Sequence, residues 1–392
     1  MQSAPLSAAS KARPRVVLVS TMYSPFQTEL GRALNAQGLV DYHILYTMTE
    51  SRGRGSHWTE DATRVPEWVH VAPALRGQAE FNAWVRGKLE VLQPHVILTS
   101  AMLSAPTWKA MTALKDTLRW HGFRTPIGYW LEHPDMSRPA PTRVAVETLT
   151  RLQLAGMDFI FAIGDRAEAY YRRCHPTLPI HIVPYGADLG PCFAIDRPAA
   201  RDPGAPVTFL FSGQLVARNN IAALTDAFGR LAESHPGRFA FIVSASGPEE
   251  RHLAALAARS PAFAAALRYD RVFQTWNDRL RPFRDADVLV CPSLHAGWAL
   301  VVPEAMAAGM PVIATRAVSA ARFFVRPEVS GLLVRPDAAS IHRALVRFVE
   351  EPQVLTRMGA EARHAAHAGT AEFIADLYAR AALREWARAR GA

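Results

Sequence analysis

Between Asp287 and Thr315 the chain alternates in a way that leaves few folds open. A short apolar run, Val288 to Cys291, is followed by Pro292-Ser293 and then by His295-Ala296-Gly297-Trp298-Ala299-Leu300-Val301-Val302-Pro303-Glu304-Ala305-Met306-Ala307-Ala308-Gly309. A second apolar run, Pro311 to Ala314, ends at Thr315. The pattern reads as strand, glycine-containing loop, helix start and strand. The loop offers backbone N–H groups beside a helix N-terminus, where anionic groups are stabilised. Glu304 falls in the first turn of that helix, and a carboxylate there accepts two hydrogen bonds at once, which suits a ribose diol. Alone, Glu304 serves equally well as a stabiliser of the helix dipole. Gly297, seven residues before it, and a strand on either side favour ligand contact. The arrangement points to a nucleotide site at the carboxyl edge of a parallel sheet.

With 392 residues, 49% of them hydrophobic, the chain has material for two cores. No apolar run approaches bilayer length and the N-terminus lacks a signal-peptide core, so a cytoplasmic protein is expected. Residues 1–14 read as a flexible tail. Cys174, Cys192 and Cys291 are few, odd in number and not in metal-ligand spacing, which implies a reducing compartment and no structural disulfide. The net charge of +9 is carried almost wholly by arginine, because lysine occurs only at Lys11, Lys88, Lys109 and Lys115. Phosphate charge in the second half must therefore be met by arginine, backbone or helix dipole. No basic run with interleaved aromatic residues points to nucleic acid. Solubility and phosphate attraction explain the charge, and peripheral contact with an anionic membrane at its inner face is the other partner it admits.

Strands are expected at Val16–Ser20, Tyr42–Tyr46, His95–Thr99, Ile127–Leu131 and Phe159–Ile163, with a helix from about Phe26 to Ala36 and others between most of the strands. Ser51 to Ser56 reads as a polar, glycine-rich cleft edge. Residues 190–206, with four prolines, read as a linker. Alternation then restarts with strand Val207–Phe211, helix Ile221–Ala232, strand Phe239–Ser244 and a helix near Glu249–Ala258. Strands near Val272 and Val288 follow. The last helix, about Ala371 to Ala389, carries Phe373, Ile374, Leu377, Ala381, Leu383 and Trp386 at helical spacing and needs a surface to pack on. The fold class is therefore α/β, with two doubly wound parallel-sheet domains facing across a cleft.

Ser212-Gly213-Gln214-Leu215-Val216-Ala217-Arg218-Asn219-Asn220 follows one strand and opens a helix. Its glycine lets backbone approach a phosphate, and Arg218 is placed to neutralise a diphosphate leaving group. An ordinary strand-to-helix turn with a solvated arginine explains the segment as well. Glu132 and His133 follow the strand Ile127–Leu131, where polar residues face the cleft; His133 can bond a sugar hydroxyl, move a proton, or simply bond to backbone. Gln27 and Thr28, after the first strand, are candidate cleft contacts or helix-capping residues. Trp276 is read as a packing residue before a base-flanking one.

Together these residues resemble the retaining GT-B glycosyltransferases, specifically glycosyltransferase family four (glycosyl transferases group 1). The resemblance is carried by Gly213-Gln214-Leu215, Phe283-Arg284-Asp285-Ala286-Asp287, Pro292-Ser293, Pro303 to Thr315, Ser330 to Val334 and Met358-Gly359. A looser match includes Val183-Pro184-Tyr185-Gly186-Ala187-Asp188. The resemblance implies residues 15–189 as an acceptor-side Rossmann-like domain and 207–370 as the nucleotide-sugar domain, with 371–392 a helix crossing back to the first. It implies transfer of a sugar from a nucleotide diphosphate donor to an acceptor that the sequence does not name, with retention of configuration and no metal or other cofactor. By that similarity Glu304 binds the donor ribose. Gly297, Trp298 and Ala299 lie along the sugar and diphosphate, Leu300 and Val301 offer N–H groups, and Gly213, Gln214, Arg218 and Asn219 form the phosphate turn. His133 is the cleft histidine. The sequence departs from the family at Ala296, where a glutamate is usual. Gln214 replaces an arginine, Asn219 a lysine and Ala299 a glycine, and His295 is a partial substitute beside Ala296. Two other readings stay open, a non-catalytic nucleotide- or glycan-binding member of the fold and a nucleotide-sugar epimerase.

Overall fold

A computed structural model describes residues 13–48, 65–75, 77–100, 111, 114, 117–136, 139–197, 202, 204–271 and 276–391. Most of the expected tail, the loop Ser51 to Ser56, the strand near Val272 and the side chain of Trp276 lie outside the described residues. The first half holds β1 (Arg15–Met22), β2 (Asp41–Met48), β3 (Val69–Val71) and β4 (Val96–Thr99), then a small antiparallel hairpin of β5 (Arg119–Trp120) and β6 (Phe123–Arg124), then β7 (Ile127–Leu131), β8 (Phe159–Ala162) and β9 (Ile180–Ile182). Seven of these form a parallel sheet in the order β3-β2-β1-β4-β7-β8-β9. The second half holds β10 (Val207–Gln214), β11 (Phe239–Ser246), β12 (Leu267–Tyr269), β13 (Val288–Cys291), β14 (Val312–Thr315) and β15 (Gly331–Val334), parallel in the order β12-β11-β10-β13-β14-β15.

The central strands are near-continuous apolar runs because both faces are covered. Val16, Val17, Leu18 and Val19 have no exposed surface, and neither do Phe209 and Leu210. In the second half Phe228, from the helix Ile221–Ser234, stacks on Phe241 of β11 with centroids 4.0 Å apart. Three-residue edge strands such as β9 and β12 offer too short a pattern to be read from sequence.

The helix Ala371–Ala389 crosses back onto the first sheet, capped by Thr370, whose hydroxyl accepts from the Phe373 amide. Tyr378, wholly buried, meets Tyr42, Trp130 and Phe161 edge-on at 5.8, 5.5 and 5.1 Å. Phe373 departs from expectation: it is 47% exposed, since the helix turns Ile374 inward instead. Within the segment expected to be a plain linker, Gly190–Phe193 is helical, and Arg197 donates to the carbonyls of Ala308, Ala286 and Phe283. The planar guanidinium thus fastens this segment to the second sheet domain. The halves also meet directly, through Arg322 with Asp165 and through Arg166 with the Ala317 carbonyl at 2.6 Å. Among the described residues no helix is long and apolar enough to cross a membrane.

Candidate functional site

In each sheet the strand order reverses once, between β1 and β4 and between β10 and β13. Loops leaving neighbouring strands in opposite directions open a crevice there, where ligands of doubly wound sheets bind. The β10/β13 crevice is framed by residues 213–220 and 292–300, so the segments singled out from sequence for phosphate and donor contact arrive together.

Gly213 and Gln214 end β10 at the surface, Gly213 with φ 152°. Arg218 follows in the 3-10 turn Ala217–Asn219; it is exposed, and among the described residues its guanidinium has no ion-pair partner. Asn219 has another duty. Its amide nitrogen donates to the Gln214 carbonyl at 2.7 Å, and its oxygen accepts from the Ser293 hydroxyl at 3.1 Å. Expected to touch the donor, Asn219 is instead a strut between the two loops, because its short amide reaches both. The Arg218 carbonyl also accepts from the Leu294 amide at 2.8 Å.

The loop after β13 is laced to the helix Ser319–Phe324: the amides of Ala296, Ser319 and Ala320 bond to the carbonyls of Ala317, Ala296 and Trp298. Trp298 is only 2% exposed and packs on Phe323 and Phe324, with Gly164 of the first half against its edge. Expected by resemblance to lie along the donor sugar and diphosphate, its ring is a packing residue instead. Ala299 takes φ 83°, a left-handed conformation that L side chains resist. Leu300 returns to the right-handed region, and its amide and that of Val301 open the two-turn helix Val301–Ala307 with no acceptor inside it.

Glu304 is 4% exposed. Its Oε1 takes two donors from Arg279, Nε at 2.9 Å and a terminal nitrogen at 2.8 Å. The other carboxylate oxygen has no partner among the described residues and remains able to accept from a hydroxyl. Sequence reasoning missed Arg279, which lies on the 3-10 turn Trp276–Leu280 outside every recognisable motif.

From the first half, His133 reaches the site and its ring lies 6.0 Å from that of His295, which is itself buried. Burial, then the charge of Arg166 and the nearness of His295, pull the His133 pKa down to about 4. The ring is neutral at pH 7, and among the described residues its buried Nδ1 has no hydrogen-bond partner. Glu132 lies against Gly297. Gln27 and Thr28 do not face the cleft. Thr28 is wholly buried, its hydroxyl donating to the Ser24 carbonyl, and Gln27 bonds to Ser20 and Ser100. Both satisfy the interior because the helix Pro25–Gln37 packs its first turn inward. Among the described residues no three His, Cys, Asp or Glu side chains converge as metal ligands.

The whole architecture superposes on Anabaena HepE in complex with UDP, over 95% of this chain and 100% of that one, with a TM-score of 0.68 at 16% identity. The fold is that of the GT-B glycosyltransferases: two Rossmann-like parallel sheets with a cleft between them. Residues 206–351, which contain the whole second sheet, match the family model of glycosyl transferases group 1. Over 225 residues it is 33% identical to the D-inositol 3-phosphate glycosyltransferase of Nocardia farcinica, covering 54% of this chain and 49% of that protein. Over 203 residues it is 30% identical to the lipopolysaccharide core biosynthesis glycosyltransferase LpsE of Rhizobium meliloti, covering 51% of this chain and 56% of that protein. The chain thus spans about half the length of these curated relatives.

Proposed function

We propose that the protein is a retaining glycosyltransferase that moves a hexosyl group from a nucleotide diphosphate sugar, held at the β10/β13 crevice, to a hydroxyl acceptor entering from the first half. The observation that carries this reading is Glu304, pinned by Arg279 through one oxygen while the other has no partner among the described residues, together with Arg218, exposed at the β10/β13 crevice and without an ion-pair partner among the described residues. The free oxygen accepts from the ribose. Arg218 and the amides of Leu300 and Val301 take up the diphosphate charge that grows as the bond from the anomeric carbon to phosphate oxygen breaks. The acceptor oxygen forms the new bond on the face the diphosphate leaves, and its proton passes to the departing phosphate oxygen. Neutral His133 bonds a hydroxyl in the cleft without adding charge. These groups suffice to offset the diphosphate without a metal ion. The work is cytoplasmic, with peripheral contact to an anionic membrane: the net charge is +9, and the helix Ala140–Leu154 leaves Val144 and Leu152 more than half exposed.

Two observations favour a second reading, a nucleotide-binding protein that does not turn over. Ala296 places no functional group in the donor loop, and Asn219 spends its amide on structure. A thermal-shift screen with UDP, GDP, UDP-glucose and GDP-mannose, followed by assay of released nucleoside diphosphate with mixed acceptors, separates the two. Stabilisation with release is expected. Stabilisation without release over a broad acceptor panel leaves the binding protein, and no stabilisation by any of the four removes both.

A further inference from the structure

The first sheet sends one carboxylate across the cleft. β7 ends at Leu131, so Glu132 is the first residue past the carboxyl edge of its strand. The Tyr171 hydroxyl donates to the Glu132 carbonyl at 2.6 Å and fixes the backbone from which the side chain departs. The side chain then reaches the donor loop of the second half. A Cβ added to Gly297 would lie 1.7 Å from Oε2 of Glu132 and 2.6 Å from its Cδ. Gly297 does not have a left-handed φ, so no backbone strain asks for glycine there. Space for the carboxylate does. On one side of Gly297, Ala296 carries no polar group. On the other, Trp298 is buried in packing. Glu304 is already paired with Arg279, and the residue after Glu132, His133, is neutral at pH 7 and lies beside His295.

We propose that Glu132 is the specificity-determining residue for the sugar half of the donor: its carboxylate accepts hydrogen bonds from hydroxyls of the sugar ring where the ring passes Gly297. This rests on the nucleotide-sugar reading above. A carboxylate presents two oxygens in one plane, matched to neighbouring hydroxyls, and accepts charge-assisted hydrogen bonds from them. Because it comes from the opposite half, it contributes only when the halves are together. The nucleotide, gripped within the second half alone, does not depend on it.

Calorimetric titration of UDP and UDP-glucose, and of GDP and GDP-mannose, into the wild type, Glu132→Gln and Gly297→Ala tests this. Glu132→Gln keeps the shape and removes the charge; Gly297→Ala places a methyl where the carboxylate lies. Both variants are expected to lose about tenfold or more in affinity for the preferred sugar conjugate, as for a lost charge-assisted hydrogen bond, while Glu132→Gln binds the nucleoside diphosphate within about twofold of wild type. Glu132→Gln is also expected to change the ranking of sugars carried on the same nucleotide. Equal losses for nucleotide and conjugate, or no loss for either, overturn the role of Glu132 and leave the nucleotide-sugar reading standing. A wild type that binds none of the four ligands overturns both.

Discussion

The carboxyl edges of the two sheets share one geometry, a reversal of strand order at a cleft, yet they use their polar side chains differently. At the β1/β4 reversal Ser20, Gln27 and Ser100 bond to one another, and Thr28 and Tyr46 share the Ser24 carbonyl. At the β10/β13 reversal Gln214 and Arg218 stand exposed, and among the described residues one oxygen of Glu304 has no partner. Buried polar groups satisfied by the fold are structural, whereas groups held in place but not satisfied are available to a ligand. On the proposed function the donor lies in the second half. The first half then contributes from its far strands, through Glu132 and His133.

The largest effect expected of this comparison is on turnover. On the proposed function Arg218→Ala removes the cation that meets the leaving diphosphate, and it should lower kcat by on the order of 10²- to 10³-fold, with a smaller change in KM. Steady-state release of nucleoside diphosphate measures it. A loss confined to KM would break the assignment, because it would make Arg218 a ground-state anchor only.

Glu304→Ala should weaken nucleoside diphosphate binding by about 1.5–3 kcal/mol, the range for a hydrogen bond to a charged group. Gln27→Ala, at the equivalent edge of the other sheet, should leave that affinity unchanged and lower the urea midpoint instead. Titration of both variants with UDP or GDP decides the point. Equal effects on affinity would mean that both reversals hold ligand.

Acid provides a third contrast. Burial, as the first cause in each case, takes His70, His95 and His133 down to about 4 from an ordinary value near 6.5, and all three belong to the first half. Between those values the folded chain binds fewer protons than the unfolded one, so stability is complete above about pH 6.5 and falls as pH drops toward 4. The Tm should decline over that window, and amides of β1, β4 and β7 should lose exchange protection before those of β10, β11 and β13. Simultaneous loss in both sheets would show that the halves unfold as one unit.

Much of this contrast was legible in the sequence, and the part that was not has a physical reason. Strands buried on both faces announce themselves, so β1, β7, β10 and β13 fall within a few residues of where the apolar runs place them. The strand–loop–helix order likewise places residues 292–304 at a sheet edge. What a local pattern cannot say is which way a polar side chain turns. Thr28 and Asn219 look like ligand contacts because they follow strands, yet each is spent on the fold. Arg279 and Glu132 reach the site from distant segments, and only the packing of the halves brings them to Glu304 and Gly297.

The smallest effect concerns the donor loop itself. Ala299 holds φ 83° directly before the first-turn amides of Leu300 and Val301. A methyl in that conformation crowds the backbone, while glycine adopts it freely, though glycine also gains more freedom in the unfolded chain. The first effect exceeds the second where φ is positive, so Ala299→Gly should stabilise the protein by about 0.5–1 kcal/mol, read as a higher urea midpoint at constant slope. Nucleotide affinity should change little, since the substitution leaves the amides of Leu300 and Val301 in the helix's first turn. A lower midpoint would show that the half-buried methyl contributes more through packing than the strained backbone costs. The loop would then owe its shape to its lacing against the helix Ser319–Phe324 and not to the conformational preference of residue 299.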